Sequence, residues 1–210
     1  MDRENIPEKV RQGYNKAAEK HSEMIDLSRT KLGIYSEFKR RILGNVLELG
    51  FGNGKPIAED LLESGFEYTG IDISEWQLEL AGANLPKYRK SFIRAEMLDY
   101  CKSEVPDSVG GAIAMFSIFH LPREKHVELF SEIQRILKLG APLLFTCHPS
   151  NWEGVENDWL EAPEMFWSNF SNRWYQLTLT ELGYTFISAY RKITVFNNME
   201  EIQYFLLFVK

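Results

Sequence analysis

Residues 46–54 read Val-Leu-Glu-Leu-Gly-Phe-Gly-Asn-Gly, and the next apolar run, Tyr68–Ile73, carries a carboxylate near its end at Asp72. This order predicts a buried strand, a glycine-rich turn, a helix and a second strand. Glycine tolerates positive φ and has no side chain, so the turn lets backbone approach a ligand closely. A carboxylate at the tip of the adjacent strand is placed to accept hydrogen bonds from a ribose diol. We therefore expect a site for an adenosine-containing cofactor.

The composition predicts one soluble domain, with 210 residues, 44% apolar and 26% charged. No apolar run approaches the ~20 residues that span a bilayer, and no secretory signal is evident, so no membrane partner is expected. The net charge of −6 argues against a nucleic-acid partner. The two cysteines, Cys101 and Cys147, have no metal-ligand spacing, and they are expected to be reduced thiols in a cytoplasmic protein.

Strand and helix signals alternate from residue 45 onward, which predicts an α/β fold with a doubly wound, mostly parallel seven-stranded sheet. Residues 110–119 are apolar throughout, as expected of a strand buried on both faces. The predicted strands are Val46–Gly50, Tyr68–Ile73, Ser91–Ala95, Gly110–Phe119 and Pro142–Cys147, followed by Thr185–Phe196 and Ile202–Val209. Helices are expected at Lys55–Ser64, Glu75–Asn84, Arg123–Lys138 and Thr178–Leu182. One or two amphipathic helices in residues 1–44 should form an N-terminal helical cap, and residues 45–210 the main domain.

The last two strands are joined by a short turn, Asn197–Glu200, which makes them an antiparallel pair. Because residues 204–209 are apolar on both faces, the final strand should lie inside the sheet and not at its edge.

The glycine turn departs from the dinucleotide pattern Gly-x-Gly-x-x-Gly. Its third glycine, Gly54, comes one residue early, and Lys55 occupies the diagnostic place. Glu48, just before the turn, would repel a pyrophosphate but suits a cationic amine. The site is therefore expected to hold an adenosine that carries an amino acid.

With these motifs the chain resembles the class I S-adenosylmethionine-dependent methyltransferases from about residue 45 to its end, apart from 148–175. In the first half, the matching features are Glu48 with the Gly-x-Gly-x-Gly turn, the acid Asp72 at the end of the second strand, and the acidic turn 95–99. In the second half, they are the His-Leu-Pro turn after the fourth strand, the entry to the fifth strand at residues 136–144, and the final hairpin. The resemblance implies S-adenosylmethionine as cofactor. By this resemblance, the methionine end of the cofactor contacts Glu48, Gly50, Gly52 and Gly54, and the ribose contacts Asp72. The adenine contacts Ile73, Glu96 and Met97, and Phe116 and Ser117 close the amine side. Asp99 is an alternative to Glu96.

A base is needed only for some acceptors, because the sulfonium methyl is already a strong electrophile. His120 is the candidate catalytic base, and the alternative is that its ring orders the His-Leu-Pro turn. His148 is a second candidate, with a similar structural alternative. Tyr14 resembles a tyrosine that some small-molecule methyltransferases place over the cofactor, although an ordinary helix–core contact is as good an interpretation. His21 and His126 are expected to have no catalytic role.

Residues 148–175 are rich in aromatic and acidic side chains and follow the fifth strand at the ligand edge. They are expected to form an acceptor-site insert, where rings and carboxylates suit an amine or other cationic acceptor. The alternative is that the rings pack a satellite core and the acids are solvated. Together these features predict a cytoplasmic enzyme that moves a methyl group to a small-molecule acceptor. The alternatives are a non-catalytic cofactor-binding regulator and a macromolecule methyltransferase.

Overall fold

The structure is a computed structural model that describes residues 5–196 and 199–210. Its helices are α1 (Ile6–Met24), α2 (Gly33–Arg41), α3 (Ile57–Glu63), α4 (Glu75–Asn84), α5 (Met97–Ser103), α6 (His126–Ile136) and α7 (Asn172–Glu181). Its strands are β1 (Val46–Leu49), β2 (Tyr68–Asp72), β3 (Phe92–Arg94), β4 (Ala112–Ala114), β5 (Pro142–Cys147), β6 (Trp152–Trp159), β7 (Ala162–Asn169), β8 (Thr185–Phe196) and β9 (Met199–Val209).

Seven strands form one sheet in the order β3-β2-β1-β4-β5-β9-β8. β9 is antiparallel to both of its neighbours, and the other pairs are parallel. The predicted fold class is confirmed, including the inner position of the final strand. Residues 197 and 198 of the predicted hairpin turn lie outside the described residues.

Alternate residues of each strand pack on opposite faces of the sheet, as the two-residue period of a strand requires. In β5, for example, Leu143 and Phe145 face the core under α5, α6 and α7, whereas Leu144 faces the core under α2 and α3. All six residues of β5 are buried. Helices on both faces explain why the central strands read as continuous apolar runs.

Helix α1 lies across the carboxyl ends of the strands instead of on a face of the sheet. Its buried residues Ile6 and Val10 pack with Phe166 of β7. Helix α2 differs, because its Tyr35 and Phe38 are buried in the core on one face of the sheet. Of the N-terminal residues that the structure describes, α1 and the turn that follows it therefore cover the edge of the sheet.

The segment after β5 contains an antiparallel hairpin, β6–β7, that the sequence patterns did not indicate. Leu160 and Glu161 at its tip both have positive φ, 49° and 67°. Hairpin turns of this kind usually carry Asn-Gly or Asp-Gly, and this one lacks that signal. Helix α7 also begins earlier than predicted, where the Ser171 hydroxyl caps it by accepting from the Trp174 N–H at 3.2 Å.

Candidate active site

A cavity opens between α1, the start of α4 and the carboxyl ends of β1, β2 and β4. Its empty volume is about 950 Å³, counting the part open to solvent. All but one of the residues predicted for the site line it: Tyr14, Glu48, Gly50, Gly52, Asp72, Ile73, Glu96, Met97, Phe116, Ser117 and His120. The carboxyl edge of a parallel sheet is where ligands bind in open α/β folds, because neighbouring loops diverge there.

Gly54 is the exception, and its role is packing. Its φ is +82°, and an added Cβ would lie 3.0 Å from Leu85 Cδ1 and 3.4 Å from Ala81 Cβ. Gly54 thus lets the glycine turn sit against α4, outside the lining of the cavity. The family resemblance implied contact with the methionine end, and no observation tests that contact.

The other two glycines of the turn have different physical roles. Gly50 has φ +83°, and a Cβ there would lie 2.4 Å from Ser117 Cβ, so only glycine lets the ends of β1 and β4 approach. The Ser117 hydroxyl spans this contact by donating to the Leu49 carbonyl at 2.5 Å. Gly52 has φ +58° and no atom within 4 Å of an added Cβ, so its backbone faces open space in the cavity.

Glu48 is a buried carboxyl, only 3% exposed, beneath the glycine turn. The Tyr68 hydroxyl donates to its Oε2 at 2.5 Å. Burial raises the pKa of Glu48 to about 8, and the hydrogen bond from Tyr68 and the charge of Arg29 only partly oppose this. At neutral pH the side chain is therefore mostly protonated, and a cation placed beside it would favour its ionised form.

Asp72 holds the glycine turn and the start of α4 together. Its Oδ2 accepts from the Gly52 N–H at 3.0 Å, and its Oδ1 accepts from the Ser74 N–H at 2.9 Å. Burial raises the pKa of Asp72 to about 6. A carboxylate offers about four lone-pair sites. Asp72 can therefore still accept a hydrogen bond from a ligand in the cavity.

Glu96 caps α5, since its Oε2 accepts from the Leu98 and Asp99 N–H groups, both at 2.9 Å. Burial raises its pKa. Glu96 lines the cavity with Met97, whereas Asp99 is exposed on the first turn of α5. Of the two acids that the sequence left as alternatives, Glu96 is the one beside the apolar walls formed by Ile73 and Met97.

Tyr14 and His120 meet at the cavity wall, with the Tyr14 hydroxyl 2.7 Å from His120 Nε2. The other ring nitrogen of His120, Nδ1, lies 2.8 Å from the Phe166 carbonyl oxygen. His120 is buried, and burial lowers its pKa to about 4. Because both nitrogens are engaged, His120 reaches an acceptor molecule only through Tyr14. The base role suggested by the sequence stays a prediction.

The other three histidines occupy different settings. His126 is buried, with its nitrogens 2.9 Å from the Tyr175 hydroxyl and 2.8 Å from the Leu121 carbonyl. His148 is half-buried at the end of β5, outside the cavity lining. His21 lines the cavity, and burial lowers its pKa to about 4.

Arg29 is a cavity residue that the sequence patterns did not indicate. Its guanidinium lies 4.1 Å from the centroid of the Phe116 ring, and its buried Nε has no hydrogen-bond partner among the described residues. Burial lowers its pKa to about 10, so it stays charged. Phe116 has φ +60°, a conformation that costs a non-glycine residue about 1–3 kcal/mol and often marks a functional site. A buried guanidinium whose Nε lacks a hydrogen-bond partner among the described residues is suited to an anionic group of a ligand.

Residues 148–175 stand behind the cavity, and none of them contributes to its lining in the part of the chain that the structure describes. Trp159 and Trp167 pack edge-on to each other, and contact Tyr14 and His120 respectively. Two of the acids pair with α1, Glu161 with Lys20 and Glu164 with Lys9, both at 2.5 Å. The segment's acceptor-site role stays a prediction, and its visible contacts support α1.

Comparison with known proteins points to one family. Residues 46–140 match the profile of a family described as a methyltransferase domain. A sterol 24-C-methyltransferase of Gibberella zeae is 34% identical over 101 residues, which cover 46% of this chain but only 25% of that protein.

Two solved structures share the fold. An S-adenosylmethionine-dependent methyltransferase of Methanosarcina mazei superposes with a TM-score of 0.71 at 18% identity, over 85% of this chain and 97% of that one. The second is a 1,6-didemethyltoxoflavin N1-methyltransferase of Burkholderia thailandensis, solved with 1,6-didemethyltoxoflavin and S-adenosylhomocysteine. It superposes with a TM-score of 0.76 at 12% identity, over 100% of this chain and 91% of that one. The matched profile thus identifies a methyltransferase domain over residues 46–140, and the whole chain has the sheet order and fold of these S-adenosylmethionine-dependent methyltransferases.

Proposed function

We propose that the chain transfers the methyl group of S-adenosylmethionine to a small-molecule acceptor, with the cofactor in the cavity under α1. When bound, the cofactor supplies an electrophilic methyl group on a sulfonium. The protein's task is then to hold a nucleophile in line with that methyl group, which is catalysis by proximity. A cytoplasmic location is part of this proposal.

The cavity residues fit the cofactor group by group. The free lone pairs of Asp72 suit the ribose hydroxyls, and Ile73 and Met97 provide apolar walls for the adenine, with Glu96 beside them. Glu48 suits the ammonium of the methionine end, next to the open backbone of Gly52. The carboxylate of that end has a matching cation in Arg29, whose buried Nε lacks a partner among the described residues.

The enclosure of the cavity by α1 is the observation that carries the small-molecule assignment. On one side, Arg11 of α1 bonds both oxygens of Glu75 at 2.7 Å, and Asn15 accepts from the Ser74 hydroxyl at 2.6 Å. On the other side, the β6–β7 hairpin holds α1 through Lys9 and Lys20. An acceptor must enter beneath this helix, which favours a compact molecule over a folded macromolecule.

The acceptor classes to test are amines and aromatic compounds. The carboxylates of 148–175 that suggested a cation include two that pair with lysines of α1, so charge supports an amine less than the sequence alone did. Apolar walls at Ile25, Met115 and Phe116 support an aromatic or other apolar acceptor. The sterol and didemethyltoxoflavin methyltransferases, by their names, act on molecules of this kind.

The test is incubation of the purified chain with methyl-labelled S-adenosylmethionine and panels of amines, phenols, heteroaromatics and sterols. We expect S-adenosylhomocysteine and a labelled small molecule with at least one panel. Stoichiometric cofactor binding with no turnover in any panel would favour the regulatory alternative. Salt-sensitive RNA binding with label transfer to RNA would favour the macromolecule alternative.

A further inference from the structure

The two hydrogen bonds of His120 fix which of its nitrogens carries the proton. Nδ1 lies 2.8 Å from the Phe166 carbonyl oxygen, which can only accept, so Nδ1 must donate. A neutral imidazole has one N–H, and burial lowers the pKa of His120 to about 4, which keeps the ring neutral near pH 7. Nε2 is therefore an acceptor, and the Tyr14 hydroxyl, 2.7 Å away, must donate to it.

This arrangement determines what Tyr14 presents to the cavity. A phenol has one proton, and Tyr14 commits it to His120, so the oxygen faces the cavity only as a hydrogen-bond acceptor. The ring is held edge-on between His120 at 5.0 Å and Trp159 at 5.5 Å, measured between centroids. Rotation of the hydroxyl toward the cavity would leave the buried Nε2 of His120 without a partner, which is costly.

The β6–β7 hairpin positions both partners of the Tyr14–His120 hydrogen bond. Phe166 of β7 supplies the carbonyl for His120, and its buried ring packs on Ile6 and Val10 of α1. Gly13, one residue before Tyr14, lets α1 approach the hairpin, because an added Cβ would lie 2.7 Å from Met165 Cε and 3.2 Å from a backbone oxygen.

Apolar burial dominates this docking. Burying one large apolar side chain contributes about 1.5–3 kcal/mol. An exposed ion pair such as Lys20–Glu161 contributes at most about 1 kcal/mol.

We propose that His120 is a positioning residue, which with the Phe166 carbonyl fixes the Tyr14 oxygen as a lone-pair acceptor aimed at the positively charged, methyl-bearing centre of the cofactor. The inference rests on the proposed function, because it needs the cofactor to occupy this cavity. An oxygen that only accepts suits a cationic sulfonium, and it does not favour the neutral thioether left after transfer. The hairpin, which does not line the cavity among the described residues, would thereby control the electrostatics at the reacting centre.

Two substitutions at one position separate this role from simple structural support. In His120→Gln, the amide oxygen falls near the place of Nε2 and can still accept from Tyr14. In His120→Asn, the amide nitrogen falls near the place of Nδ1 and can still donate to Phe166, but nothing accepts the Tyr14 proton. Tyr14→Phe removes the oxygen itself. Thermal unfolding of each variant, without ligand, establishes that it folds.

The readout is the affinity for sinefungin relative to S-adenosylhomocysteine, measured by calorimetry. Sinefungin carries a carbon-bound ammonium where the cofactor has its methylsulfonium, whereas S-adenosylhomocysteine has a neutral sulfur there. We expect Tyr14→Phe to lower the wild-type preference for sinefungin about tenfold or more, as for loss of one hydrogen bond to a charged group. His120→Asn should lower it similarly, and His120→Gln should keep it.

The inference would be overturned if His120→Asn kept the wild-type preference for sinefungin. It would also be overturned if all three variants lost affinity equally for sinefungin and S-adenosylhomocysteine, and His120 would then be a structural residue. Nitrogen-15 NMR of the ligand-free protein provides a second readout, because it distinguishes the two neutral tautomers of His120. We expect the Nδ1–H form in the wild type and in Tyr14→Phe, and the Nε2–H form would overturn the inference. Failure of the wild type to bind S-adenosylhomocysteine would instead contradict the proposed function.

Discussion

Replacing Glu48 by glutamine should abolish a proton release that accompanies cofactor binding. With a pKa of about 8, most Glu48 side chains carry a proton at pH 7 in the free protein. An ammonium placed beside the carboxyl favours the ionised form, so binding should lower this pKa and expel the proton. We therefore expect binding of S-adenosylhomocysteine at pH 7 to release most of one proton per site. Asp72, with a pKa of about 6, is already mostly ionised at that pH and adds little.

Calorimetry in two buffers of different ionisation enthalpy counts the protons directly. The Glu48→Gln variant is the matched control, because the amide keeps the size of the side chain and an acceptor for Tyr68. Because binding releases a proton, the affinity for S-adenosylhomocysteine should increase with pH. As the pH rises toward 8, the free protein loses the Glu48 proton by itself, and binding no longer has to expel it. Release of a full proton by the glutamine variant, or none by the wild type, would refute the assignment of Glu48 to the ammonium.

Three further changes test other parts of the site. Asp72→Ala should weaken S-adenosylhomocysteine binding by ~1.5–3 kcal/mol in calorimetry, the range for a hydrogen bond to a charged group, and an unchanged affinity would sink the ribose assignment. Arg29→Met should lower the affinity for S-adenosylhomocysteine about tenfold but leave 5′-methylthioadenosine, which lacks the amino acid, unaffected, and equal losses would contradict the carboxylate role. Gly13→Ala should fail to gain the roughly 1 kcal/mol that alanine gives over glycine inside a helix, and should lower the melting temperature, because its Cβ would lie 3.2 Å from the Glu164 carbonyl oxygen as well as 2.7 Å from Met165 Cε. Gly33→Ala is the control, with no atom within 4 Å of its added Cβ, and a similar loss there would rule out the contact as the cause.

The sheet was predictable because its signals are local. Residues 142–145 are continuously apolar, as expected of a strand covered on both faces, and all six residues of β5 are buried. The short link between the last two strands, with the apolar run 204–209, fixed their antiparallel pairing and the inner position of β9. The acid at Asp72 follows from the same reasoning, since its place at the end of β2 decides where its side chain lies.

Other parts of the site depend on contacts that no local pattern encodes. Gly54 belongs to the glycine motif, yet its close approach to Ala81 on α4 and to Leu85 just after that helix gives it a packing role. Arg29 carries no signal in the sequence, and only the folding of the segment after α1 onto Phe116 brings it into the cavity. The carboxylates of residues 148–175 suggested a cationic ligand, but Glu161 and Glu164 find their cations on α1. Long-range pairing of this kind becomes visible only in the folded chain.

A crystal structure of the chain with S-adenosylhomocysteine tests the central claim most directly. We predict ribose hydroxyls within hydrogen-bond distance of Asp72, adenine between Ile73 and Met97, and the amino-acid end between Glu48 and Arg29. Ligand density outside this cavity, or a ribose turned away from Asp72, would contradict the claim that this cavity is the methyltransferase cofactor site.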